Sequence, residues 1–323
     1  MCTAITFKTK DHYFGRNLDL EYHYKESVTI MPRNYVLPMR CMSNLKSHYA
    51  MIGMATLDKD YPLFYDATNE HGLSMAALNF PGNAVYRPVT NAKQNIAPFE
   101  LIPWILGRCK TVNEALEQLE NINLANIAYS DTFPLTPLHW LLSDKTRSVT
   151  VEPEETGLQL TDNPVGVLTN NPPFSYHMHN LSNYMRISSK SPQNHICPGL
   201  SIKPFSNGMG SIGLPGDLSS ASRFARAVFV KWNSVCQSDE SSSISQFFHI
   251  LNAVAQQSGC VQIDDKFEKT VYSSCCNTDT GVYYYTTYEN SQVTGVSMRN
   301  VDLDLNKITA YPLRTVQQIR MEN

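Results

Sequence analysis

MCTAITF (1–7) is the stretch on which the reading turns. TAITF is short, apolar and β-branched, the composition of a strand. Cys2 stands at its head. A lone cysteine inside a chain is most often a small buried hydrophobe. At position 2, loss of Met1 would give it a thiol and a free α-amine on adjacent carbons. A deprotonated thiol is a strong nucleophile. An α-amine, with a reference pKa of about 7.7–8.0, is a base poised near neutrality. One residue would then supply both nucleophile and base.

Composition narrows the classes. Hydrophobic residues make up 42% of the 323 and charged residues 17%, against a usual charged share of about 25%. Asn, Ser, Thr and Tyr fill the difference, so disorder is not the cause. A net charge of −3 without a basic block argues against nucleic acid as partner. No segment has the roughly 18 apolar residues of a membrane span. Lys8, Lys10, Asp11, Arg16 and Asp19 interrupt the first twenty residues, which excludes a secretory apolar run. We therefore expect a cytoplasmic protein. Its eight cysteines form no zinc-type pairs and are expected to be free.

Outward from the first strand, SVTIM, YAMIGMA and LSMAALNF read as further strands. APFELIPWILGRC (97–109) reads as a buried helix. TVNEALEQLENIN (111–123) reads as a helix opened by a capping box, Thr111 with Glu114. LHWLLSD, SVTVEP and VGVLTNN resume the strands. Residues 171–218 are irregular, rich in Pro, Asn, Ser and Gly, and read as loop and short helix. ASRFARAVFVKW and SQFFHILNAVAQQ are two more helices, the second ending at Gly259. TVYSSCC, GVYYYTTYEN and TGVSM return to strand. Strands in runs with helices grouped between them make an α+β pattern. One domain over 1–323 is expected.

Several polar residues sit where chemistry could use them. In YFGRNLDL (13–20), Arg16 and Asp19 lie three apart on the expected partner of the Cys2 strand. Strict alternation separates their faces, so a shared role requires the strand to end or bulge near Asn17. Their other reading is a surface ion pair. Asn79 and Asn170 each follow an apolar strand and precede a proline. Each is either a turn cap or an oxyanion donor. Ser219 or Ser220 is a natural N-cap, which puts Arg223 in or near a first turn, where a cation opposes the helix dipole. An anionic or carbonyl partner would account for it. His177 and His179 on an extended segment suggest no metal site without a third ligand.

Together and in order, MCTAIT, FGRNLD, YPLFYDATNEHGLSMAALNFPG, LHWLLSD, GVLTNNP, GLPGDLSSASRF, SQFFHIL, YSSCCN and YYYTTYEN resemble the choloylglycine hydrolases over essentially the whole chain. That family contains the bile salt hydrolases and penicillin V acylases. The resemblance implies the four-layer αββα sandwich of N-terminal nucleophile hydrolases. It implies Cys2 as nucleophile, with Arg16 and Asp19 lining and orienting it. Asn79 and Asn170 match oxyanion and substrate-orienting positions, Asn170 rather than Asn171, and Arg223 matches the last active-site position. Asn79 itself resembles the bile-salt-cleaving members, where penicillin-V-type members tend to carry Tyr. Tyr129 and Phe133 match steroid-contacting positions; Leu18, between Arg16 and Asp19, is expected at the mouth of the site, and Tyr65 in YPLFYD is a further expected substrate contact. The implied substrates are glycine- or taurine-conjugated bile salts, in a homotetramer that needs no metal or organic cofactor. Rival readings are a penicillin V acylase, a bile-acid-binding protein without turnover, and a papain-like enzyme pairing Cys2 with His139 or His249.

Overall fold

The computed structural model describes all residues 1–323. Cys2–Lys8 and His12–Leu20 form a tight hairpin, paired from Cys2↔Leu18 to Lys8↔His12. This hairpin is the heart of a seven-stranded sheet. Val167–Leu168 flanks it on one side; Lys266–Asn277, Val282–Thr287 and Thr294–Ser297 follow on the other, and Val261–Ile263 pairs with the start of Lys266–Asn277 as the seventh strand. A second, eight-stranded sheet runs Gly157–Asp162, Ser148–Glu154, Leu138–Ser143, Ser74–Asn79, Tyr61–Asn69, Met51–Asp58, Ser27–Met31 and Thr309–Pro312.

The sheets stack face to face. Helices Ser220–Asn233 and Glu240–Asn252 cover the first, and Leu101–Arg108 packs on the second, followed by Val112–Leu119. The layers are αββα, the four-layer α+β sandwich expected. One apolar core, including Ala4, Phe14, Ile52, Leu78, Phe247 and Leu251, fills the space between the sheets and under helices Ser220–Asn233 and Glu240–Asn252. The other, including Met75, Trp104, Leu106 and Trp140, lies between the second sheet and its helices.

Alternation assigns the faces of the hairpin. Cys2, Ala4, Arg16 and Leu18 look toward the second sheet. Thr3, Asn17 and Asp19 look toward the helices, where the Asn17 amide donates to the Leu251 carbonyl at 2.9 Å. The His12–Leu20 strand neither ends nor bulges at Asn17. The irregularity falls on its neighbour instead: Thr270 pairs with Asp19 and Tyr272 with Leu18, leaving Val271 extra. Gly15 is required by close approach, since a Cβ there would lie 2.0 Å from the Ser274 carbonyl oxygen.

Tertiary contacts move several element ends. The 111–123 helix stops at Leu119, and Ile122–Leu124 becomes a strand beside Gln94–Ile96. Thr111 accepts from the Glu114 amide at 3.2 Å as a cap, but the Glu114 carboxylate turns to the Lys110 amide. The helix expected to reach Gly259 ends at Asn252, because Gln256 pairs with Thr270 through backbone and hydroxyl. The His177–His179 segment is helical, Phe174–Asn180, with His177 buried and His179 exposed, so their rings do not share a face.

Candidate active site

Cys2 is buried at the head of its strand, opposite Leu18, and the two side chains share one face. Its backbone nitrogen donates to Asn170 Oδ1 at 2.8 Å. That nitrogen is the atom that becomes an α-amine when Met1 is lost. The Met1 amine itself donates to the Asp19 carbonyl at 2.8 Å and meets the buried carboxylate of Glu268.

Arg223 explains the misplaced helix cation. Ser219 caps its helix, accepting from the Ser222 amide. The guanidinium of Arg223, fully buried, bonds carbonyls and hydroxyls. Nε donates to Leu218 O at 3.0 Å, Nη1 to Cys2 O at 2.5 Å and Thr3 Oγ1 at 2.6 Å, and Nη2 to Asn170 Oδ1 at 2.8 Å. One carboxamide oxygen thus receives both the Cys2 nitrogen and Arg223. Burial lowers the Arg223 pKa, while Asp19, Cys2 and Glu268 oppose that shift.

Arg16 lies on the opposite face of the sheet. Its Nη1 donates across the sandwich to the carbonyls of Tyr65, at 3.0 Å, and Ala77. Nη2 has no partner although it is buried. Burial opposes the Arg16 charge, but Cys2, Tyr272, Asp66 and Asp19 outweigh it and hold its pKa above the ordinary value. Asp19 accepts from the Thr270 hydroxyl at 2.7 Å and leaves Oδ2 unpartnered. Arg16 and Asp19 are therefore no surface ion pair. Both are wholly buried, and they approach the Cys2 end of the hairpin from opposite faces.

The two asparagines meet, but unequally. Asn170 Nδ2 donates to the Asn79 carbonyl at 2.7 Å. Asn170 is almost fully engaged, its amide bonded to Ser220 Oγ and its carbonyl to His177 Nε2, both at 2.8 Å. The Asn79 side chain is exposed and free at its strand end. Leu18 and Tyr65 adjoin Cys2 and Arg16 respectively. Tyr129 and Phe133 stand farther out. Tyr129 joins an aromatic cluster with Tyr61 and Phe99, donating to Asp58 Oδ2 at 3.0 Å. Phe133 touches Tyr129 and also Tyr24, on the segment that follows the Arg16–Asp19 strand. The cleft of about 560 Å³ bounded by Arg33, His48, Glu70 and His71 is polar and contains none of these residues.

Sequence reading missed the frame around Asn170. His139, wholly buried, bonds the Glu152 carboxylate through Nδ1 and the Thr169 carbonyl through Nε2, both at 2.8 Å. Its ring stacks on Phe80 at 4.2 Å. One imidazole thus braces the residue after Asn79 and the residue before Asn170. Both nitrogens are occupied, and His249 is exposed on its helix, so neither histidine partners the Cys2 thiol. The papain-like pairing fails on that geometry. No cluster of three metal-ligating side chains is present.

An αββα sandwich with a cysteine heading its inner hairpin defines the class: the N-terminal nucleophile hydrolase fold. The family model for linear amide C–N hydrolases of the choloylglycine hydrolase type matches residues 2–311, and the chain belongs to that family. It is 52% identical over 319 residues to a bile salt hydrolase/transferase of Lactiplantibacillus plantarum, covering 98% of both chains. A crystal structure of the C2A mutant of the conjugated bile acid hydrolase from Clostridium perfringens superposes with a TM-score of 0.93. Identity there is 36%, with full coverage of both chains. Penicillin V acylase from Agrobacterium tumefaciens shares the fold at a TM-score of 0.75. It is 18% identical, over 98% of this chain and 94% of its own.

Proposed function

We propose that this protein hydrolyses the amide of glycine- or taurine-conjugated bile salts, with Cys2 as nucleophile after loss of Met1. The observation that carries the mechanism is the 2.8 Å bond from the Cys2 nitrogen to Asn170 Oδ1, held in turn by Arg223. It fixes the direction of the would-be base beside its own thiol. The thiol proton passes to the α-amine, and Sγ attacks the amide carbon. The oxyanion is received by Asn79 and by the second Nδ2 hydrogen of Asn170. The carbon–nitrogen bond breaks as the ammonium returns its proton to the departing glycine or taurine. Water then attacks the thioester, the carbon–sulfur bond breaks, and the thiol is regenerated. Arg16 favours thiolate; Asp19 holds the ammonium end.

The chain is read as one N-terminal nucleophile hydrolase domain over 1–323, working without metal or organic cofactor. The bile-salt choice rests on Asn79 and on the similarity to a bile salt hydrolase/transferase and a conjugated bile acid hydrolase. Leu18, Tyr65, Tyr129 and Phe133 are assigned to the steroid. A homotetramer is proposed with the 185–212 segment, where Met185, Ile196, Leu200, Ile202 and Phe205 are exposed, as its contact region. No helix is long and apolar enough to cross a membrane. A cytoplasmic location is supported by eight free cysteines, the state a reducing compartment maintains.

The experiment is a product assay with glycocholate, taurocholate and penicillin V side by side. Release of glycine or taurine faster than phenoxyacetate is expected. Faster penicillin V cleavage would make it an acylase. Binding without product would make it a carrier. Asn79→Tyr should depress bile-salt cleavage more than penicillin V cleavage, and equal effects would remove Asn79 from substrate choice.

A further inference from the structure

Arg16 and Asp66 are anchored reciprocally across the space between the sheets. Arg16 rises from the first sheet and bonds carbonyls of the second, at Tyr65 and Ala77. Asp66 rises from the second sheet and bonds hydroxyls of the first. It accepts from Tyr272 and Tyr283 at 2.7 Å each and from Ser274 at 3.4 Å. Ser274 Oγ also accepts the backbone N–H of Arg16 at 3.1 Å. Both side chains are buried, at 0% and 1% exposure. Yet they form no ion pair. Every bond of the guanidinium goes to a carbonyl, and every bond of the carboxylate comes from a hydroxyl.

The chain is shaped to keep them so. Met54 pairs with Asp66 and Ala55 with Phe64, so Tyr65 is the extra residue of a bulge. Its carbonyl is the one Arg16 takes, one residue before the carboxylate. Opposite, Gly53 admits the close approach, since a Cβ there would lie 2.1 Å from the Asp66 carbonyl oxygen. A buried charge without an opposite charge nearby is strongly unfavourable, so Arg16 needs a counter-charge. A bidentate pair would supply it but would use up Nη2.

We propose that Asp66 is a positioning residue, the fixed counter-charge that keeps Arg16 in the interior without pairing to it, leaving Nη2 free for the reacting centre at Cys2. The proposal rests on the reading of Cys2 as nucleophile. Burial raises the Asp66 pKa, with Arg16 and the hydroxyls of Tyr283, Tyr272 and Ser274 opposing. Cys276 is the other titratable neighbour of Asp66. Arg16, Arg223, Asp19, Glu268 and the chain amine are the charged groups around Cys2.

Two readouts test it. The first is the pH dependence of Cys2 alkylation, followed by peptide mass, in wild type and Asp66→Asn. Removing the counter-charge leaves the field of Arg16 uncompensated, so about tenfold more thiolate is expected on the acid side. An Asn that merely loses a hydrogen-bonding role would leave the profile unmoved, and that result overturns the proposal. The second is a stability cycle of Asp66→Asn, Arg16→Met and the double variant. Each single should lose stability, and the double should exceed Arg16→Met alone. Additive losses overturn the proposal. Should Asp66→Asn not fold, recovery or failure of the double variant decides. Should Cys2 not be the nucleophile, Cys2→Ala would keep its activity while the stability coupling persisted, so the two failures are distinguishable.

Discussion

The two faces of one hairpin treat buried arginine in opposite ways. On the helix face, Arg223 arrives from a covering helix and spends all three nitrogens on four acceptors. On the inner face, Arg16 keeps one nitrogen unpartnered. Buried polar groups are ordinarily satisfied. A saturated arginine holds backbone and side chain in place. An unsaturated one retains a donor for something else. The sheet that separates them carries Cys2, whose carbonyl faces the first arginine and whose side chain shares a face with the second. One face holds the Cys2 end in place, and the other leaves a donor unpartnered.

The largest effect that would break this contrast lies at Arg223. Arg223→Met strips partners from Cys2 O, Thr3 Oγ1 and Asn170 Oδ1, and should cost about 1–3 kcal/mol for each acceptor left buried and unpaired, read in urea unfolding. A loss of activity without a loss of stability would assign Arg223 the chemical role proposed for Arg16. Asn170→Ala should reduce turnover about 10²–10³-fold with folding retained, and full activity would return Asn170 to turn capping.

The far end of the inner face offers a smaller test. Burial drops the His12 pKa from 6.5 to about 4. The unfolded chain takes up this proton below its own pKa, whereas the folded chain resists until about 4. Stability should therefore be full above about pH 6.5 and fall by at most about 3 kcal/mol toward pH 4. His12→Gln should flatten that slope in urea titrations, and an unchanged slope would assign it to other groups. Smallest is Phe133→Ala. Burying one aromatic side chain is worth about 1.5–3 kcal/mol, so KM for glycocholate should rise about tenfold while alkylation of Cys2 by a small reagent stays constant. An unchanged KM in a folded variant would place the steroid elsewhere.

Local signals in the chain carried the strands, the helix pairs and the α+β class, because alternation and caps are short-range. Cys2 was legible from its position, and Arg223 from its conflict with the helix dipole. The end or bulge near Asn17 that a shared face for Arg16 and Asp19 would need does not occur: alternation holds there, the two stay on opposite faces, and the register slips elsewhere, where only the fold places it. It slips in the strand around Val271, some 250 residues on. His139, Asp66 and Glu268 stayed hidden for the same reason. Each is an ordinary polar residue in a strand, and only the folded chain brings it a buried partner from elsewhere in the sequence. The capping box at Thr111 formed by half, and the helix before Gly259 ended early, where distant contacts outbid local preference.

The central claim is that the α-amine of Cys2 is the base for its own thiol. Intact mass of the active enzyme, with alkylation mapped by peptide, tests it most directly. The mass should show loss of Met1, one alkyl group on Cys2 should abolish turnover, and Cys2→Ala should be about 10⁴-fold or more slower. Full activity in protein that retains Met1 would contradict the claim, because its Cys2 nitrogen is an amide and holds no proton-accepting pair.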